Sequence, residues 1–98
     1  MVLNRLLLYK FTIQRRGKVL KPEVAFGELL RKFRKHAKFS QERLAQESGL
    51  DRTYISLLER GLRQPSLNSL LKISKALSIS SSEIVAAVEA KLNENTED

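Results

Sequence analysis

The sequence predicts an all-α fold of five helices, and three observations carry that expectation. From about residue 23 onward, apolar side chains recur at three- and four-residue spacings, the period of a helix buried along one face. Three serines and an aspartate, Ser40, Ser66, Ser80 and Asp51, stand just ahead of those runs, where helix N-caps belong. Gly49 and Gly61 follow two of them, where a left-handed residue closes a helix.

The first helix is expected over residues 23–37. Phe26, Leu29, Leu30 and Phe33 follow the i, i+3, i+4, i+7 pattern, with Ala37 one turn further on, while Arg31, Lys32 and Lys35 decorate other faces. Ser40 caps a second helix, 41–48, whose first turn carries Glu42 at the positive end of the helix dipole. Asp51 caps a third, about 52–60, closed by Gly61. Ser66 caps a fourth, 67–77, with Leu67, Leu70, Ile73 and Leu77 as its apolar face. Ser80 and Glu83 form an S-x-x-E capping box for a fifth, about 81–92, with apolar positions Ile84, Val85, Val88 and Leu92.

Residues 1–22 differ in pattern. Leu7, Tyr9, Phe11 and Ile13 alternate with Lys10, Thr12 and Gln14, a period of two that suggests a strand. RRGK at 15–18 reads as a turn, and Val19-Leu20 as the start of a second short strand. The expected organisation is an N-terminal extension, 1–22, holding a strand or hairpin; a helical domain, 23–92; and a polar acidic tail, 93–98, frayed at its end. A lone hairpin is marginal in water. Three roles for the extension stand open: pairing with a second subunit or its own domain, a basic arm along DNA, or none.

Bulk properties narrow the chemistry. Ninety-eight residues suit one domain. Without cysteine there is no disulfide framework and no thiolate metal site. One histidine, His36, supplies neither a multi-histidine metal site nor a relay, and reads as a surface residue. No apolar run reaches the roughly 18 residues of a membrane helix, and LLLY near the start is too short for a signal-peptide core. No nucleophile–base pairing or phosphate loop supports an enzyme; Ser80, Ser81 and Ser82 are explained by capping. The expectation is a cytoplasmic protein with no cofactor, no metal, no small-molecule ligand and no membrane partner. The net charge of +7 is uneven: residues 1–39 carry +9, residues 40–65 carry 0, and residues 66–98 carry −2. A basic half suits a polyanion, although a solvated charged surface accounts for it equally well.

The stretch 40–61, SQERLAQESGLDRTYISLLERG, is the most informative. It reads as two short helices joined by a tight turn at Gly49. Leu44, Leu50, Ile55 and Leu58 lie where the pair must bury them, and Ala45 is small where the helices cross. This is the anatomy of a helix-turn-helix, whose second helix enters the major groove of DNA. Arg52 and Thr53 open that helix. Arginine can bond guanine O6 and N7 together, and a threonine methyl can touch a thymine methyl; for Arg52 a phosphate contact is the competing reading. Ser56, one turn on from Arg52, faces the groove for a base or a phosphate. Tyr54 is read as a phosphate or sugar contact, or else as a partly buried ring. Arg60 and Arg63 are phosphate candidates at the helix end.

Residues 26–79 resemble the phage-repressor-type, or XRE-like, helix-turn-helix family. FGELLRKFRK, SQERLAQESGL, DRTYISLLERG and PSLNSLLKISKAL look in order like its first four helices. DRTYIS is also similar to the corresponding string of restriction–modification controller proteins. The resemblance implies a compact helical domain that binds operator DNA as a homodimer and regulates transcription. It implies that Gln41 bonds a phosphate and braces the recognition helix, and that Arg34 pairs structurally with Glu59. An adaptor using the same fold to grip a protein, such as an antitoxin, is the alternative. Lys38 and Ser78 stand where the family often has glycine, and Leu57 where many members carry a polar or small residue. Lys38 is expected in a left-handed conformation and as a phosphate contact. The stripe Ile84, Val88 and Leu92, with Val85 beside it, is expected to form the dimer interface, setting recognition helices about one DNA turn, ~34 Å, apart.

Overall fold

A computed structural model describes residues 20–97, with side chains through residue 94. It holds five helices: α1, Pro22–His36; α2, Gln41–Ser48; α3, Arg52–Glu59; α4, Leu67–Leu77; and α5, Ser81–Glu97. No strand occurs among the described residues, and the alternating segment Leu7–Ile13 lies outside them. The five expected helices are present in the expected order, with α2 and α4 at their expected bounds.

α1 begins one residue early because Pro22 occupies the first turn, where its missing N–H is no loss and its fixed φ suits a helix. Ser40 Oγ accepts from the Arg43 N–H, and Ser66 Oγ accepts from the Ser69 N–H, each at 3.0 Å. The capping box on α5 is reciprocal: the Glu83 N–H donates to Ser80 Oγ at 3.1 Å, and the Ser80 N–H donates to Glu83 Oε1 at 3.2 Å. Asp51 is a correction. It stands at the N-cap of α3 with extended backbone, but its side chain accepts no hydrogen bond from the helix. Only its charge remains to favour the helix dipole.

Four helix ends are closed by left-handed residues: Lys38 (φ 63°), Gly49 (74°), Gly61 (73°) and Ser78 (57°). The ends at Lys38 and Ser78 are wrapped alike. The residue after each donates back to the carbonyl five earlier, Phe39 to Arg34 and Ile79 to Ser74, both at 3.0 Å. Lys38 therefore adopts the conformation its position predicts.

α1 packs across α3 and α5, α2 against α3 and α4, and α4 against α5. Leu30, Leu44, Ile55, Leu58, Ile73 and Ile84 are the fully buried large side chains at their meeting point. Phe26, Ala45 and Leu77 complete the core, with Phe33, Ala37, Leu50 and Leu70 packed on it. Lys91 Nζ on α5 meets Glu28 Oε1 on α1 at 3.1 Å.

Three expectations change. Leu67 is 73% exposed, because as the first residue of α4 it lies ahead of the turn that reaches the core. α5 continues to Glu97 instead of ending near Leu92, since Asn93–Glu97 contains neither glycine nor proline to stop it. The segment assigned to an acidic tail is thus helical through Glu97. Ile84 is 1% exposed: α5 turns it into its own domain's core, so it cannot belong to a dimer interface.

Candidate nucleic-acid interface

α3 is set by contacts on both of its sides. Ile55 and Leu58 point inward and are fully buried, leaving Arg52, Thr53 and Arg60 exposed. Ser56 and Leu57 are half-buried. Gly49 turns the chain between α2 and α3, its N–H and that of Leu50 both donating to the Ala45 carbonyl, at 2.8 and 3.1 Å.

The far end of α3 is held by a buried ion pair. Arg34 Nε donates to Glu59 Oε2 at 2.5 Å and Nη2 donates to Glu59 Oε1 at 3.0 Å, a two-pronged contact. A third donor, Nη1, reaches the Phe39 carbonyl at 2.8 Å. One guanidinium thus ties α1, the α1–α2 turn and α3 together. The side chains are 10% and 4% exposed. The hydrogen bonds to Glu59, and then its charge, hold the Arg34 guanidinium protonated beyond its ordinary range, against a burial that pulls the other way.

Gln41 extends this network. Its Nε2 donates to Glu59 Oε1 at 3.0 Å, and its Oε1 accepts from Arg52 Nη1 at 3.2 Å. The first residue of α2 therefore touches both ends of α3. Tyr54 is half-buried with its ring packed against the core. Lys38 and Arg63 are exposed on the turns before α2 and after α3, and His36 is exposed on α1. Among the described residues, no group of His, Cys, Asp and Glu is placed to hold a metal ion, and no helix is long and apolar enough to cross a membrane.

The dimer candidates separate. Val85 is 45% exposed, while Val88 and Leu92 are half-buried, Val88 against the core. Leu62, Leu67 and Leu71 are also exposed large apolar residues.

Two positions were not anticipated. Gly27 allows α1 to approach α3; a lone glycine inside an apolar helical pattern was the available signal. Arg43 stacks on Phe39 with its guanidinium carbon 4.4 Å from the ring centroid. Their four-residue separation spans the start of α2, and Arg43 also lies 3.8 Å from Glu47.

The arrangement is that of a helix-turn-helix domain, and residues 30–84 match the family model described as "Helix-turn-helix". The chain belongs to that family. It is 51% identical over 55 residues to the control protein C.BamHI of Bacillus amyloliquefaciens, a match covering 55% of this chain and 68% of that protein. It is 44% identical over 68 residues to the control protein C.MunI of a Mycoplasma species, covering 68% of this chain and 92% of that one. Among solved structures, the restriction–modification controller protein C.Esp1396I, as a tetramer on its natural 35-base-pair operator, superposes with a TM-score of 0.68. It shares 32% identity over 74% of this chain and 96% of its own.

Proposed function

We propose that this chain is a sequence-specific transcriptional regulator that reads operator DNA with α3 and acts as a homodimer controlling restriction–modification genes. The observation that carries the reading is the exposed start of α3: Arg52 and Thr53 face solvent on a helix whose opposite side is locked by Ile55, Leu58 and the Arg34–Glu59 pair. The likeness to control proteins supports the narrower assignment.

In this reading Arg52, Thr53 and Ser56 contact bases, and Gln41, Tyr54, Arg60, Arg63 and Lys38 contact phosphates. Phosphate contacts set orientation and base contacts set sequence. Gln41 has a second Nε2 hydrogen to offer a phosphate beyond the one on Glu59. The dimer face takes Val85, Val88 and Leu92 of α5, together with the apolar residues that α4 leaves exposed, Leu67 and Leu71. The basic extension, 1–22, adds pairing area, an arm along DNA, or nothing, and deletion of residues 2–20 distinguishes loss of dimer, a shallower salt slope and no change in either. Bound to its operator in the cytoplasm, the protein blocks or recruits polymerase; it carries out no catalysis and takes no cofactor.

The test is selection of bound duplexes from random-sequence DNA, followed by gel shifts across a salt series. A regulator binds its selected site roughly 10³-fold or more tighter than random duplex. Equal affinity for both returns the fold to the adaptor reading, in which the exposed leucines grip a partner protein. A methylase or nuclease gene beside this one supports the restriction–modification assignment.

A further inference from the structure

Two serine side chains join the helices that carry the proposed dimer face. Ser74 on α4 is 5% exposed, and its hydroxyl lies 2.6 Å from that of Ser81, the first residue of α5. Ser74 Oγ donates its one hydrogen to the Leu71 carbonyl at 3.0 Å. In the contact between the hydroxyls, Ser81 is therefore the donor and Ser74 the acceptor. The chain of bonds runs from α5 through Ser74 to the backbone of α4. Both residues stand at a vertex. Leu67, Leu71 and Ser74 follow one another at spacings of four and three, along one side of α4. Ser81, Val85, Val88 and Leu92 follow at four, three and four, along one side of α5. The two lines of residues converge where Ser74 meets Ser81.

We infer that Ser74 and Ser81 are positioning residues that fix the angle between the two arms of the dimer face, and through it the half-site spacing that the protein accepts. This rests on the proposed reading of a homodimer on a two-fold operator. Ile84 and Val88 seat α5 on the core. Apolar contacts have no preferred direction, so a helix held by them alone can roll and tilt in its seat. A hydrogen bond between hydroxyls has a preferred length and angle. The clip further along α5, Lys91 to Glu28, is partly exposed and weakened by salt. A partner subunit that packs on both helices meets Leu71 and Val85 at the angle that the serine pair sets. That angle decides where the second recognition helix stands on the duplex, where one base pair is about 3.4 Å and about a tenth of a turn.

Ser74→Ala removes the acceptor, and alanine suits a helix interior better than serine. Ser81→Ala removes the donor and leaves Ser74 bonded to the Leu71 carbonyl. Both variants are expected to melt close to the wild type, which melting curves check. Binding is measured on a duplex selected by the wild type, on versions with half-sites one base pair closer or further apart, and on a single half-site. The wild type binds the altered spacings more weakly. Each variant is expected to shrink that penalty by about threefold to tenfold, the size of one hydrogen bond, with single half-site affinity unchanged. The double variant shrinks it no further than either single one, because the same inter-helix bond is lost in all three. A spacing penalty equal to the wild type's in folded variants overturns the inference. So does weaker dimerisation by sedimentation with the penalty unchanged, the mark of serines that only stabilise. If the wild type selects no two-fold site or ignores the spacing, the homodimer reading fails instead, which separates the two ideas.

Discussion

Gly27 on α1 lies directly under Leu58 on α3: a Cβ at Gly27 would stand 2.3 Å from the Leu58 carbonyl oxygen and 2.8 Å from that of Glu59. The two helices meet backbone to side-chain-free backbone, and α3 owes its height above the domain to that contact. Both obstructing atoms belong to the main chain and cannot swing aside. Gly27→Ala is expected to push α3 outward and to destabilise by roughly 1–3 kcal/mol, as overpacked sites do. Thermal melting checks this, at about 4–8 °C lost per kcal/mol for a domain of this size. An unchanged melting temperature would mean that α1 and α3 can separate freely.

Lys38 and Ser78 hold left-handed backbone without being glycine. The Cβ penalty there is roughly 1 kcal/mol per residue, partly offset in a glycine variant by the extra freedom of its unfolded chain. Lys38→Gly and Ser78→Gly are each expected to raise the melting temperature by a few degrees. Lys38→Gly should also weaken DNA binding slightly by deleting a cation, while Ser78→Gly leaves it unchanged. A lower melting temperature in both would show the turns to be built on their side chains.

Arg52 and Arg63 separate base reading from phosphate attraction. Arg52→Ala is expected to lose roughly 1–3 kcal/mol on the selected duplex and to relax preference at one base pair per half-site. Arg63→Ala should weaken selected and random duplexes alike and flatten the salt slope by about one unit. Equal losses for Arg52→Ala on both duplexes would reassign it to a phosphate.

Val85→Asp tests the dimer face without touching the core. Val85 is 45% exposed, whereas Val88 packs on the core and Ile84 lies within it. The variant is expected to melt like the wild type but to sediment as a monomer and bind the full operator weakly. A dimer of undiminished stability would exclude Val85 from the interface.

Much of this fold is legible in the sequence because its signals are local. Ser40, Ser66 and the Ser80–Glu83 pair announce helix starts through bonds that span only three residues. Lys38 declares its backbone by standing between two helices, whereas at Ser78 the signal was only that the family often has glycine there. What was not legible depends on tertiary placement. The spacing of Ile84, Val88 and Leu92 is consistent with a stripe facing either inward or outward, and only the seat of α5 against α1 and α4 shows that Ile84 faces in. Leu67 fits the period of α4 yet precedes the core. The Gln41–Arg52 and Gln41–Glu59 bonds join residues eleven and eighteen apart, distances no periodicity reports.

The two strained corners at Lys38 and Ser78 bear on how long a molecule survives in the cell. Degradation samples the opened chain, whose population rises about tenfold for each ~1.4 kcal/mol of stability withheld. Two such positions together, at roughly 1 kcal/mol each, leave the protein more often open to proteases than its helices require. The faster a protein is removed, the more closely its abundance follows its rate of synthesis, and strain at these two turns shifts the balance in that direction.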